Sequence, residues 1–111
     1  MSALQESSHH PSAMASEAIQ GLKVTPGGRY IDCTLGPGGH SLAILNASQP
    51  GGKVLGIDLD PQALQVADRR LAEYRGSYVL VQGNFSRLGE IASLHGFGHV
   101  HGILMDVGIS L

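Results

Sequence analysis

The segment Asp32-Cys33-Thr34-Leu35-Gly36-Pro37-Gly38-Gly39-His40-Ser41 constrains this chain more than any other, because it places three glycines within four positions between an apolar run and an amphipathic one. Glycine tolerates backbone conformations closed to other residues and carries no Cβ, so such a loop lets a ligand approach the main chain closely. At the end of a strand and the start of a helix, the unpaired amides of the first turn also favour an anionic group. About twenty residues further on, at the end of the next apolar run, stands Asp58 of Gly56-Ile57-Asp58-Leu59-Asp60-Pro61. Nucleotide-binding α/β sheets place the carboxylate that holds ribose hydroxyls at this point. The pairing implies a cofactor that contains a nucleoside.

The rest of the chain reads as alternating strands and helices. A polar start (residues 1–9) precedes a helix from about Ser12, a candidate N-cap, to Leu22, and Pro26-Gly27-Gly28 forms a turn. Strands are predicted at Arg29 to Thr34, Lys53 to Asp58, Tyr78 to Gln82 and His99 to Asp106. Between them lie helices from His40 to about Asn46, from Pro61 through Tyr74, and from a Ser86 cap to near Gly96. Asp60 is placed to cap the second of these, with Pro61 at the first helical position, where a missing N–H costs nothing. Its stripe Leu64, Ala67, Leu71 and Tyr74 follows helical spacing, widened by Ala63 and Val66. Alternation at this spacing implies an α/β fold with a parallel, doubly wound sheet. Right-handed crossovers give the strand order 3-2-1-4, with ligands at the carboxyl edge near strands 1 and 4.

Composition excludes several classes. With 111 residues the chain suits one small domain, and no apolar stretch approaches the roughly 20 residues of a membrane span. The start lacks the basic and apolar pattern of a signal peptide. The single cysteine, Cys33, excludes an internal disulfide, and a cytoplasmic location is expected. A net charge of −2, with seven Lys and Arg scattered along the chain, leaves no basic stripe for independent nucleic-acid binding. His99 and His101 fall two apart on the predicted fourth strand without a third ligand, so no metal site is expected. Arg69, Arg70 and Arg75 read as the solvated face of one helix.

Taken with its neighbours, the glycine segment resembles the first motif of the bacterial ribosomal RNA small-subunit (cytosine-N4) methyltransferase family, RsmH/MraW. Matching in order and spacing are His10 with Glu17 and Gly21-Leu22, Pro26-Gly27-Gly28, Ile57-Asp58-Leu59-Asp60-Pro61-Gln62-Ala63, Gly83-Asn84-Phe85-Ser86, and Asp106-Val107-Gly108-Ile109-Ser110. The resemblance implies a Rossmann-like class I methyltransferase fold and S-adenosylmethionine as cofactor. It places Gly38, Gly39 and His40 at the methionine end of that cofactor, Asp58 at the ribose, Phe85 beside the adenine, and Asp106 at the reaction centre. Asp106 is then the candidate catalytic group, an acceptor for the N–H of the target amine, although the same carboxylate could bind the methionine amine instead.

The chain departs from the family at Ser12 and Ala13, which replace Pro or Thr and Val, and at Cys33, which replaces Ala or Gly. Family members also continue beyond the last matched segment. Residues 10–111 are accordingly expected to be the cofactor-binding portion, with a truncated sheet and no methyl transfer in isolation. Its partner in a longer enzyme would be small-subunit ribosomal RNA. An uncovered fourth strand would leave a sheet edge open to self-association. Two other readings compete. An NAD-dependent oxidoreductase domain expects a third glycine where Ser41 stands, and a non-catalytic cofactor-binding or interaction module would need no substrate half.

Overall fold

Strands β1 (Arg29–Asp32), β2 (Lys53–Asp58), β3 (Tyr78–Gln82) and β4 (Gly102–Leu104) form one parallel sheet in the order β3-β2-β1-β4. The computed structural model describes residues 19–105. The expected helix from Ser12 is therefore seen only as its last turn, 19–22, and residues 1–18 and 106–111 lie outside the described residues. The crossovers carry helices α1 (Gly39–Ala47), α2 (Pro61–Arg70) and α3 (Leu88–Leu94).

Period-2 alternation divides the core between the faces of the sheet. Tyr30, Val54 and Leu104 pack with Leu42, Ile44 and Leu45 of α1 and with Leu71. Ile31, Leu55 and Ile57 pack on the other face against Ala92 of α3 and Phe97. The central strands are the most deeply buried: Tyr30, Val54 and Leu55 have no exposure. Fully burying one such side chain contributes roughly 1.5–3 kcal/mol. This packing fixes the carboxyl ends of β1 and β2 side by side, with Asp32 in register with Gly56.

Local chemistry sets the boundaries. The strands β2 and β3 span the residues expected of them, whereas β1 stops two residues early. There the Asp32 carboxylate accepts the Thr34 amide at 2.7 Å, which turns the chain out of the strand. Asp60 caps α2 as expected, accepting the Gln62 amide at 2.9 Å with Pro61 following. The stripe beyond Arg70 is not α-helix: Tyr74 ends a 3₁₀ turn, Ala72–Tyr74, and Arg75 follows it. Arg75 thus lies off the helix expected to carry it, paired with Asp68 at 3.4 Å on the surface.

The Ser86 cap is also corrected. Asn84 accepts the Ser86 amide at 2.9 Å and opens a 3₁₀ turn, Phe85–Arg87, ahead of α3. That helix closes with Gly96 at φ +83 and the Phe97 amide bonded to the Ala92 carbonyl at 2.7 Å, a glycine-dependent C-terminal cap. The returning loop keeps His99 and His101 out of β4, and His101 Nδ1 accepts the Arg29 amide at 3.0 Å.

Candidate functional site at the carboxyl ends of the strands

The loop after β1 is built around Asp32, which is fully buried. Its Oδ1 accepts the Thr34 amide at 2.7 Å and the Thr34 hydroxyl at 2.6 Å, and its Oδ2 accepts the Ser41 hydroxyl at 2.7 Å. Asp32 therefore ties the strand end to the first turn of α1 and serves the loop itself. Ser41, at the place of the third glycine in a dinucleotide motif, is buried and spends its hydroxyl on this bond. Sequence alone does not single out Thr34 and Ser41, because their partner becomes visible only once the loop closes.

Gly38 sits at the N-cap of α1 with φ +94, in the left-handed region. A Cβ there would lie 3.3 Å from both Cα and Cβ of Ala67, so Gly38 also sets how closely α2 can approach the loop. On Gly39 a Cβ would lie 3.8 Å from Nη1 of Arg70. Arg70 is half-buried beside the N-terminus of α1, rather than on the solvated face assigned to it from sequence. Next in the chain, His40 is half-buried, with Nδ1 3.2 Å from the Thr34 hydroxyl oxygen.

Asp58 is placed differently. It is half-buried, with Oδ2 accepting the Gly36 amide at 3.0 Å and Oδ1 accepting the Asp60 amide at 2.8 Å. Two carboxylate oxygens offer about four acceptor sites, so roughly half remain for a ligand. Asp58 lines a cleft of about 210 Å³ with Cys33, Ile57, Leu59, Gly83, Asn84 and Phe85. Enclosing pockets for drug-sized ligands run to roughly 300–1,000 Å³, so this cleft suits one portion of a ligand. Phe85 is 53% exposed, an aromatic ring left at the cleft rather than used as a core anchor. Burial, and after it the Asp32 charge, pushes the Cys33 thiol above its ordinary range, which keeps it protonated near neutrality.

Of the residues expected at the site, Asp58 and Phe85 share this cleft, whereas Gly38, Gly39 and His40 lie along the neighbouring loop and are not among its lining. This cleft opens over the ends of β1, β2 and β3, while the residues that follow β4 lie outside the described residues. Asp106 lies outside the described residues, as do His10 and Glu17. Larger grooves of about 410 and 430 Å³ flank α2 with β3 and α3 with the end of β3, and neither holds a strand-end carboxylate.

A parallel sheet in this order, with a glycine loop after its first strand and an acid after its second, is a Rossmann-like arrangement, and its structural neighbours are class I methyltransferases. The same fold is found in Aeropyrum pernix fibrillarin, solved with natively bound S-adenosyl-L-methionine (TM-score 0.64, 20% identity, covering 78% of this chain and 36% of that one). A SAM-dependent O-methyltransferase from Thermotoga maritima shares it as well (TM-score 0.60, 21% identity, 66% and 28% covered). The model of the MraW methylase family matches residues 7–111, and the chain belongs to that family. Ribosomal RNA small subunit methyltransferase H of Dehalococcoides mccartyi is 52% identical over 101 residues, 91% of this chain. Its counterpart from Symbiobacterium thermophilum is 43% identical over 102 residues, 92% of this chain. The chain spans 29% and 32% of the length of these two relatives.

Proposed function

We propose that this chain is the cofactor-binding portion of an S-adenosylmethionine-dependent methyltransferase acting on N4 of a cytosine in small-subunit ribosomal RNA. The observation that carries the reading is the pairing of Asp58, with acceptor capacity to spare, and the exposed Phe85 ring in one cleft at the strand ends. Residues of the right chemistry for each part of the cofactor are present. Asp58 accepts from ribose hydroxyls, in charge-assisted bonds worth about 1.5–3 kcal/mol each. Phe85 offers a π-face to the adenine at low entropic cost. Gly38, Gly39 and His40 bring the N-terminus of α1 to the methionine end, where its amides favour a carboxylate.

When bound, the cofactor supplies a methyl group on a sulfonium, open to in-line displacement. The protein's share of such a reaction is chiefly positioning. The exocyclic amine of cytosine is a weak nucleophile because its lone pair is delocalised into the ring. Asp106 is assigned as the carboxylate that accepts its N–H, orients the lone pair and receives the proton that must leave. The target base has to be unstacked to reach this point.

Calorimetric titration with S-adenosylmethionine, S-adenosylhomocysteine and NAD tests the reading. The adenosyl compounds should bind and NAD should bind more weakly; tighter NAD binding would replace the methyltransferase reading with an oxidoreductase one.

Residues 10–111 are read as the cofactor-binding portion of a cytoplasmic enzyme. Among the described residues no helix is long and apolar enough to cross a membrane, and β4 pairs only with β1. The edge of β4 that is unpaired among the described residues is a place for a second copy to pair, which sedimentation equilibrium would register as concentration-dependent mass.

A further inference from the structure

The hydrogen bonds around Asp32 dictate the protonation of a residue two bonds away. A hydroxyl carries one proton, whereas a carboxylate has only lone pairs to offer. The 2.6 Å contact between the Thr34 hydroxyl and Asp32 Oδ1 has the length of a charge-assisted O–H···O⁻ bond, so the Thr34 proton is committed to Asp32. The Thr34 oxygen then has only lone pairs left for His40 Nδ1, 3.2 Å away. A neutral imidazole can then only donate there, which places its one proton on Nδ1 and leaves Nε2 bare. No other hydrogen bond engages His40 among the described residues.

We propose that Thr34, backed by Asp32, is a positioning residue that holds His40 as its Nδ1–H tautomer and so makes Nε2 an acceptor for the α-ammonium of the methionine portion of the ligand. This rests on the cofactor reading above and deepens it, because that reading leaves open which charged group of the methionine His40 serves. A bare Nε2 accepts and cannot donate to a carboxylate. The carboxylate is served instead by the amides at the start of α1.

The first arm of the test needs no ligand. In ¹⁵N-histidine NMR of the whole chain, His40 should show a protonated Nδ1 and an unprotonated Nε2, with the signal assigned by its loss in His40→Leu. Thr34→Ser, which retains the hydroxyl, should keep this tautomer, and Thr34→Val should release it toward Nε2–H. An Nε2–H tautomer in the unmodified protein overturns the proposal.

The second arm compares S-adenosylhomocysteine with its deaminated analogue. Removing the amine should cost about tenfold in affinity or more in the unmodified chain and in Thr34→Ser. In Thr34→Val and His40→Leu most of that difference should vanish. If Thr34→Val does not fold, His40→Leu and Thr34→Ser decide. A deamination penalty that persists undiminished in His40→Leu removes the ammonium role. Failure of the unmodified chain to bind either compound overturns the cofactor reading and the ammonium role together, while the tautomer is still judged by the first arm.

Discussion

Asp32 and Asp58 end adjacent parallel strands and do opposite work. Asp32 has no exposed surface, and its bonds all go to its own loop. Asp58 is half-buried at a cleft, and its two bonds go to backbone amides that leave lone pairs over. The difference lies in the residues just beyond each strand. After β1 come a threonine and a serine that fold back onto the carboxylate. After β2 the chain turns directly into α2, capped by its own Asp60, and among the described residues no side chain bonds to Asp58. A strand-end carboxylate thus becomes a structural tie or keeps acceptor capacity to spare according to whether its neighbours consume its lone pairs.

The largest effect should come from breaking the tie. Asp32→Ala leaves the Thr34 amide and two hydroxyls without their acceptor inside the protein, and urea unfolding should show a loss of about 3 kcal/mol. A loss below about 1 kcal/mol would show that the loop does not depend on Asp32.

Asp58→Ala should reverse the pattern. Stability should fall by no more than about 1 kcal/mol, since the freed Gly36 and Asp60 amides lie where water can reach, while S-adenosylhomocysteine affinity falls by about 1.5–3 kcal/mol. Equal stability losses in the two variants would erase the contrast between the carboxylates. Phe85→Ala extends the comparison to a side chain with no structural duty. At 53% exposure its removal should change stability by less than about 0.5 kcal/mol. Calorimetry should nevertheless record about 1 kcal/mol of lost affinity for the adenine-bearing ligand.

The smallest effect concerns Cys33, which follows Asp32 in the chain and lines the cleft with Asp58. Its thiol is raised first by burial and then by the Asp32 charge, so less thiolate is present at a given pH than in an ordinary cysteine. Alkylation by iodoacetamide should be slow at pH 7 and should accelerate only above the usual thiol range. Asp32→Asn removes the second cause, and the rate profile should move to lower pH by a modest amount. A profile unchanged by that substitution would mean that burial alone sets it.

Much of this arrangement was legible in the chain because its signals are local. Hydrophobic runs of strand length placed β2 and β3, a proline after an aspartate placed the start of α2, and glycine after a helical stripe placed the end of α3. The strand order came from the handedness of crossovers, a property of any L-peptide sheet. Two of the misplaced features share one cause, competition from a side chain two positions earlier. Asn84 takes the capping role expected of Ser86 because it stands ahead of it with a free oxygen. Thr34 leaves β1 because Asp32 claims its amide.

The sequence by itself determined that this would be an α/β sheet with a glycine loop and an acid at successive strand ends, and the family is set by those residues in their order. Only the tertiary structure decided which acid keeps lone pairs uncommitted among the described residues, which arginine of a charged trio lies beside the loop, and that His40 Nδ1 meets the Thr34 hydroxyl. Those outcomes depend on how the loops close in space, through contacts from two residues apart (Asp58 with the Asp60 amide) to twenty-two apart (Asp58 with the Gly36 amide). A lone pair or a proton can be assigned only after every partner within hydrogen-bonding reach has been counted.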